Sequence, residues 1–225
     1  MAFTYRLGRV RTSSAGNPIT FTYEVLPGVS VLALLMKVAG ATNRAGGSPT
    51  LGSTAFTVRA GVVKAAASPE TSVEYWDVLN PVPGDYTITV PNTGALTIFI
   101  TMVEARGGTG VLRQVSSSNG TSTNPTPGSV TMQDPGIVFA IVGSGAQTWN
   151  PSAQVGTIIA NTDDGTHGGG EQYLLTEVPG GVTLSWTFGT SEDWGAIAVG
   201  YTELPVNQLE NYKAIKGVGM SRGIA

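Results

Sequence analysis

The chain has one histidine, His167, in the stretch NTDDGTHGGGEQ, with Asp163, Asp164 and Glu171 close by in sequence. Carboxylates in a glycine-rich loop suit Ca²⁺, a hard cation held by oxygen ligands. The spacing does not match the EF-hand pattern, and imidazole is a poor Ca²⁺ ligand. A histidine among carboxylates is also part of a Zn²⁺ site, but structural zinc sites use more His or Cys, and the chain has no Cys. The plainer reading is a turn built from Asp and Gly. No bound metal and no cofactor are expected.

Residues for covalent catalysis are just as scarce. A Ser-His-Asp arrangement would depend on His167, and no GxSxG elbow is present. Paired carboxylates are the remaining route. Glu74 and Asp77, in SVEYWDVL, fall on opposite faces of one strand, and Glu192 and Asp193 sit in a loop before another. Each reads as a solvated or turn-forming residue, so an enzyme is not expected.

The elements that would position these residues are strands. ITFTYEV (19–25), DYTITVP (85–91) and VTLSWTF (182–188) alternate apolar with Thr, Ser or Glu, the period of a half-buried strand. VSVLALLMKVAG (29–40), ALTIFITMVEA (95–105) and GIVFAIVGSG (136–145) are apolar on both faces and read as central strands. TAFTVRAGVV (54–63) and SVEYWDVL (72–79) are further candidates. In WGAIAVGY, Ile197, Val199 and Tyr201 make one bulky face, while Ala196, Ala198 and Gly200 make a nearly bare one. A bare face lets a large side chain or a crossing backbone come close. Trp194, at the head of that strand, reads as core. The stretch SSSNGTSTNPTPGS (116–129) reads as an exposed loop, and no internal repeat is evident.

These strands, with Gly 31 and Pro 13 marking turns, predict an all-β fold: an antiparallel two-sheet β-sandwich over residues 15–205. Residues 1–14 form a basic segment before it. Residues 206–225 form an arm after it, a short helix over 206–217 and then extended chain, because Leu209, Tyr212 and Ile215 recur every third residue ahead of Gly217.

Charged residues are 12% of the chain, against roughly 25% in an average soluble domain. They are unevenly placed. Arg6, Arg9 and Arg11 open the chain and Lys213, Lys216 and Arg222 close it, leaving 6 basic against 15 acidic residues between. An acidic body with basic ends suggests ends that dock on an acidic neighbour. The tail's Leu209, Tyr212, Ile215 and Met220 add apolar surface. These ten residues are the expected assembly contacts. The acidic body argues against nucleic acid. No apolar run reaches the length of a membrane span, and the N-terminus lacks the apolar core of a secretory signal.

FTYEVLPGVSVLALLMKVAG, SVEYWDVLNPVPGDYTITV and GGVTLSWTFGTSEDWGAIAVGYTEL resemble the jelly-roll β-sandwich domain of tailed-bacteriophage and prophage structural proteins, also found in some bacterial surface proteins. The resemblance covers roughly four fifths of the chain, from Phe21 to Glu203. It implies a structural virion protein, made in the host cytoplasm, whose partners are other virion proteins and copies of itself. The alternative is a carbohydrate-binding or adhesin module for a host-surface glycan, whose loop aromatic would be Trp149.

Overall fold

The computed structural model describes residues 3–13, 17–39, 46–63, 71–93, 97–107, 110–145, 152–163 and 168–202. These residues form an all-β sandwich of antiparallel sheets, with no helix. The first half contains β1 (Thr4–Ser13), β2 (Ile19–Val25), β3 (Val29–Ala39), β4 (Thr50–Leu51), β5 (Thr54–Ala55), β6 (Thr57–Val63), β7 (Thr71–Leu79), β8 (Gly84–Val90) and β9 (Thr97–Arg106). The second contains β10 (Val111–Ser122), β11 (Ser129–Met132), β12 (Gly136–Ser144), β13 (Ser152–Val155), β14 (Thr157–Asp163), β15 (Gly168–Thr176), β16 (Gly180–Thr183), β17 (Ser185–Thr187) and β18 (Glu192–Thr202).

The sheets stack in four layers. An outer sheet in the order β2-β8-β4-β5 covers the five-stranded sheet β1-β9-β3-β7-β6. That sheet packs on a second five-stranded sheet, β10-β18-β12-β15-β14, and the pairs β11-β16 and β13-β17 cover its far face. Three apolar cores fill the gaps. This explains why β3 and β12 are apolar on both faces: each is buried along its whole length, with one core on either side.

The layers form a tandem structural repeat that is not apparent in the sequence. The two central sheets share one strand order, and their registers correspond. Val31 pairs with Leu79 and Ala105, as Ile137 pairs with Leu175 and Tyr201. Val25 faces Gly84 as Met132 faces Gly180. The irregularity in β6 falls between Val58 and Ala60, and that in β14 between Ile158 and Ala160. The absence of a repeat is therefore corrected. Its sequence trace is short: VPGDYTIT (82–89) against VPGGVTLS (178–185). Elsewhere the repeats share a burial pattern rather than residue identities.

Two further expectations change. The basic segment 1–14 does not precede the sandwich: β1 pairs with β9 along its length as an edge strand of a central sheet. The loop expected at 116–129 is strand as far as Ser122, because β18 supplies hydrogen-bond partners to a sequence whose Ser, Asn and Gly would otherwise favour turns. The strand containing Trp194 behaves as its two faces predict. Ile197, Val199 and Tyr201 fill the central core. On the bare face, a Cβ on Gly200 would lie 2.7 Å from Met132 Sδ and from Val130 Cγ1.

Candidate functional site

Buried ionisable groups concentrate in the layer between the two repeats, and sequence reasoning missed most of them. Asp77 is the centre of one cluster. β7 turns it into the central core at 1% exposure. Arg59 holds it with two nitrogens, Nε to Oδ2 at 2.8 Å and Nη2 to Oδ1 at 2.7 Å. Tyr201 Oη, from the second repeat, donates to Oδ2 at 2.6 Å. Tyr75 Oη lies 3.2 Å from Tyr201 Oη. Burial holds both phenols well above their ordinary pKa, so they remain hydroxyls and serve as hydrogen-bonding groups.

The second cluster joins Lys37 of the first repeat to Glu171 of the second. Lys37 is fully buried, with Nζ 3.8 Å from the centroid of the Phe99 ring. Its stem fits because residue 143 is glycine: a Cβ there would lie 3.2 Å from Lys37 Cγ and 2.7 Å from Val73 Cγ1. Glu171 is 1% exposed, and burial pushes its carboxyl up to about 7, against the opposing pull of the Lys37 charge. The Thr101 hydroxyl beside it also favours the ionised form, although its oxygen lacks full hydrogen-bond geometry. Tyr5 stacks on Tyr173 at 4.2 Å beside this cluster, one ring from each repeat.

A third group ties the outer sheet β2-β8-β4-β5 to the central sheet of its own repeat. Tyr23 Oη donates to Glu104 Oε1 at 2.8 Å, and Arg6 Nη1 lies 3.5 Å from Glu104 Oε2. On the opposite face of β7 from Asp77, Glu74 accepts a hydrogen bond from Trp76 Nε1 at 2.8 Å. The expectation that Glu74 and Asp77 are solvated is therefore corrected: each lies in a different core. Glu192 and Asp193 begin β18, accepting from the hydroxyls of Thr190 and Thr121.

Phenol, carboxylate and guanidinium together are a proton-transfer kit, but here they bond to one another across a packed layer. A groove of about 250 Å³ lies elsewhere, at the β7–β8 turn, where Leu51, Val78, Pro81 and Tyr86 line it and none of the buried clusters opens into it.

Of the candidate metal ligands, Asp164 and His167 lie outside the described residues, and the side chain of Asp163 is likewise undescribed. Glu171 points into the central layer rather than toward a loop. No metal-holding group of acids and histidines occurs among the described residues. Of the expected assembly contacts, Arg6 pairs with Glu104, Arg9 and Arg11 lie on the backbone of β1, and Leu209, Tyr212, Lys213, Ile215, Lys216, Met220 and Arg222 fall outside the described residues. Comparison with protein-family models, characterised proteins and solved structures yields no match.

Proposed function

We propose that the chain is a structural protein of a tailed-bacteriophage particle, a head decoration, minor capsid or tail component, acting through contacts between proteins. The observation that carries this reading is the structural repeat itself: two modules pack sheet on sheet and are tied by the hydrogen bond that Tyr201 donates to Asp77. In the first repeat the order β1-β9-β3-β7 faces β2-β8-β4-β5, which supports reading it as a jelly roll, a module used in capsids. Titratable side chains are placed to lock the layers together, as a building block requires. The test is immunogold electron microscopy of phage particles with antibody against the purified chain. Label at a fixed place on head or tail supports the reading; label confined to the host surface refutes it. Deletion of 206–225 should leave the melting temperature nearly unchanged and abolish incorporation.

The glycan-binding alternative depends on an aromatic platform. Trp76, Trp186 and Trp194 are buried in cores, and Trp149 lies outside the described residues. Saturable binding on a glycan array, lost in Trp149→Ala, would favour it instead.

A further inference from the structure

The first strands of the repeats, β1 and β10, hold the same place at the edge of their sheets. They face opposite sides of the slab. β10 lies beside β6, whereas Tyr5 of β1 sits on Tyr173 of β15. Edge strands expose backbone hydrogen-bonding groups, and proteins close them with charges, prolines or bulges. Three of the four central edges follow that rule. β6 and β14 are short, and each carries a register irregularity at its third residue with only four paired residues beyond it. β1 has one between Leu7 and Arg9 and bears Arg6, Arg9 and Arg11.

β10 differs. Its irregularity, between Leu112 and Gln114, is followed by nine paired residues, and its one charge, Arg113, is bound to Asp134 at 2.9 Å. From Gln114 to Ser122 there is no charge, no proline and no further irregularity. Ser117, Asn119 and Thr121 are exposed. Among the described residues no strand pairs with its outer side.

Charge selects the occupant. Residues 4–107 contain eight basic and six acidic side chains, a net of +2. Residues 110–202 contain one basic and seven acidic, a net of −6. Two β10 edges meeting would press two acidic repeats together, with Glu192 and Asp193 beside each strand. Two β1 edges would bring together two strands that each carry three arginines in sequence. β10 against β1 brings opposite signs together and covers Leu7, which is 42% exposed on that edge.

Building on the assembly reading, we propose that β10 is a docking edge for β1 of a second copy, joining copies head to tail through a continuous sheet. Such a heterologous contact closes into a ring or extends as a filament.

The experiment uses the full chain and two variants, Ser117→Lys with Asn119→Lys to block β10, and Leu7→Glu with Arg9→Glu to block β1. Molar mass is followed by light scattering against concentration and salt, with circular dichroism confirming the fold. Wild type should grow in mass with concentration and shrink at high salt. Each variant alone should be monomeric with an unchanged melting temperature, and an equimolar mixture should stop at the dimer. If the β1 variant assembles like wild type while the β10 variant does not, the contact is a two-fold between β10 strands and the proposal fails. If both variants assemble normally while deletion of 206–225 abolishes assembly, the edge is wrong and the assembly reading survives. A wild type that stays monomeric at millimolar concentration, with no label on particles, overturns both.

Discussion

The two repeats have one topology and one register but differ in chemistry. Where the first has Lys37 and Phe99, the second has Gly143 and Gly195 at corresponding places; where the first has Asp77 and Tyr75, the second has Tyr173 and Glu171. Because the repeats pack face to face, these differences are complementary. A lysine on one sheet packs against a glycine on the other, and an aspartate on one sheet finds a tyrosine hydroxyl on the other. Two copies of the first repeat meeting in the same way would oppose Lys37 to Lys37. The asymmetry thus makes the repeats fit each other better than themselves, while the shared register preserves the architecture.

The comparison can be broken most strongly at Asp77. Asp77→Ala should cost about 3–5 kcal/mol by leaving Arg59 and Tyr201 without their buried partner, whereas Tyr173→Phe at the corresponding place should cost under about 0.5 kcal/mol. Chemical denaturation of both variants checks this, and equal costs would show that the Asp77 cluster is not the specific tie between repeats.

Next in size is a pH effect carried by one repeat only. The folded Glu171 carboxyl, at about 7, lies above its ordinary value of 4.5. Between those values the folded protein holds a proton that the unfolded chain releases. This contribution is full below about 4.5 and is lost as pH rises through about 7, by up to about 3 kcal/mol. Glu171→Gln should flatten that part of the stability curve; an unchanged slope would remove Glu171 as its source.

Corresponding core positions should respond alike. Val103 and Val199 are both fully buried in the central core, and each change to Ala should cost about 2 kcal/mol. A large difference in urea midpoint would show that the repeats are not equally packed. The smallest effect belongs to the turns. Val82 and Val178 are 71% and 72% exposed at corresponding turns, so Val82→Ser and Val178→Ser should each change stability by less than about 0.5 kcal/mol.

Much of the strand content was legible. The alternation of residues 19–25 and the unbroken apolar run of 29–39 depend on local periodicity, and both are strands. Ser116 to Ser122 reads as loop because its hydrogen-bond partners lie some seventy residues away on β18. The repeat left one recognisable trace, the two VPG turns, because a turn needs particular residues, whereas a strand between two cores needs only apolar volume. Buried acids were the least legible: on a strand covered on both faces, alternation no longer separates core from solvent.

By itself the sequence determined the all-β class, most strand positions and the two-faced character of β18, since each follows from side chains within a few residues of one another. Tertiary structure decided that Asp77 meets Tyr201, that Lys37 lies over Gly143 and that β10, uncharged beyond Arg113, is left as an edge. Those outcomes depend on which sheets face each other and which strands end them. Residues far apart in sequence fix both, through packing and backbone pairing that local periodicity does not encode.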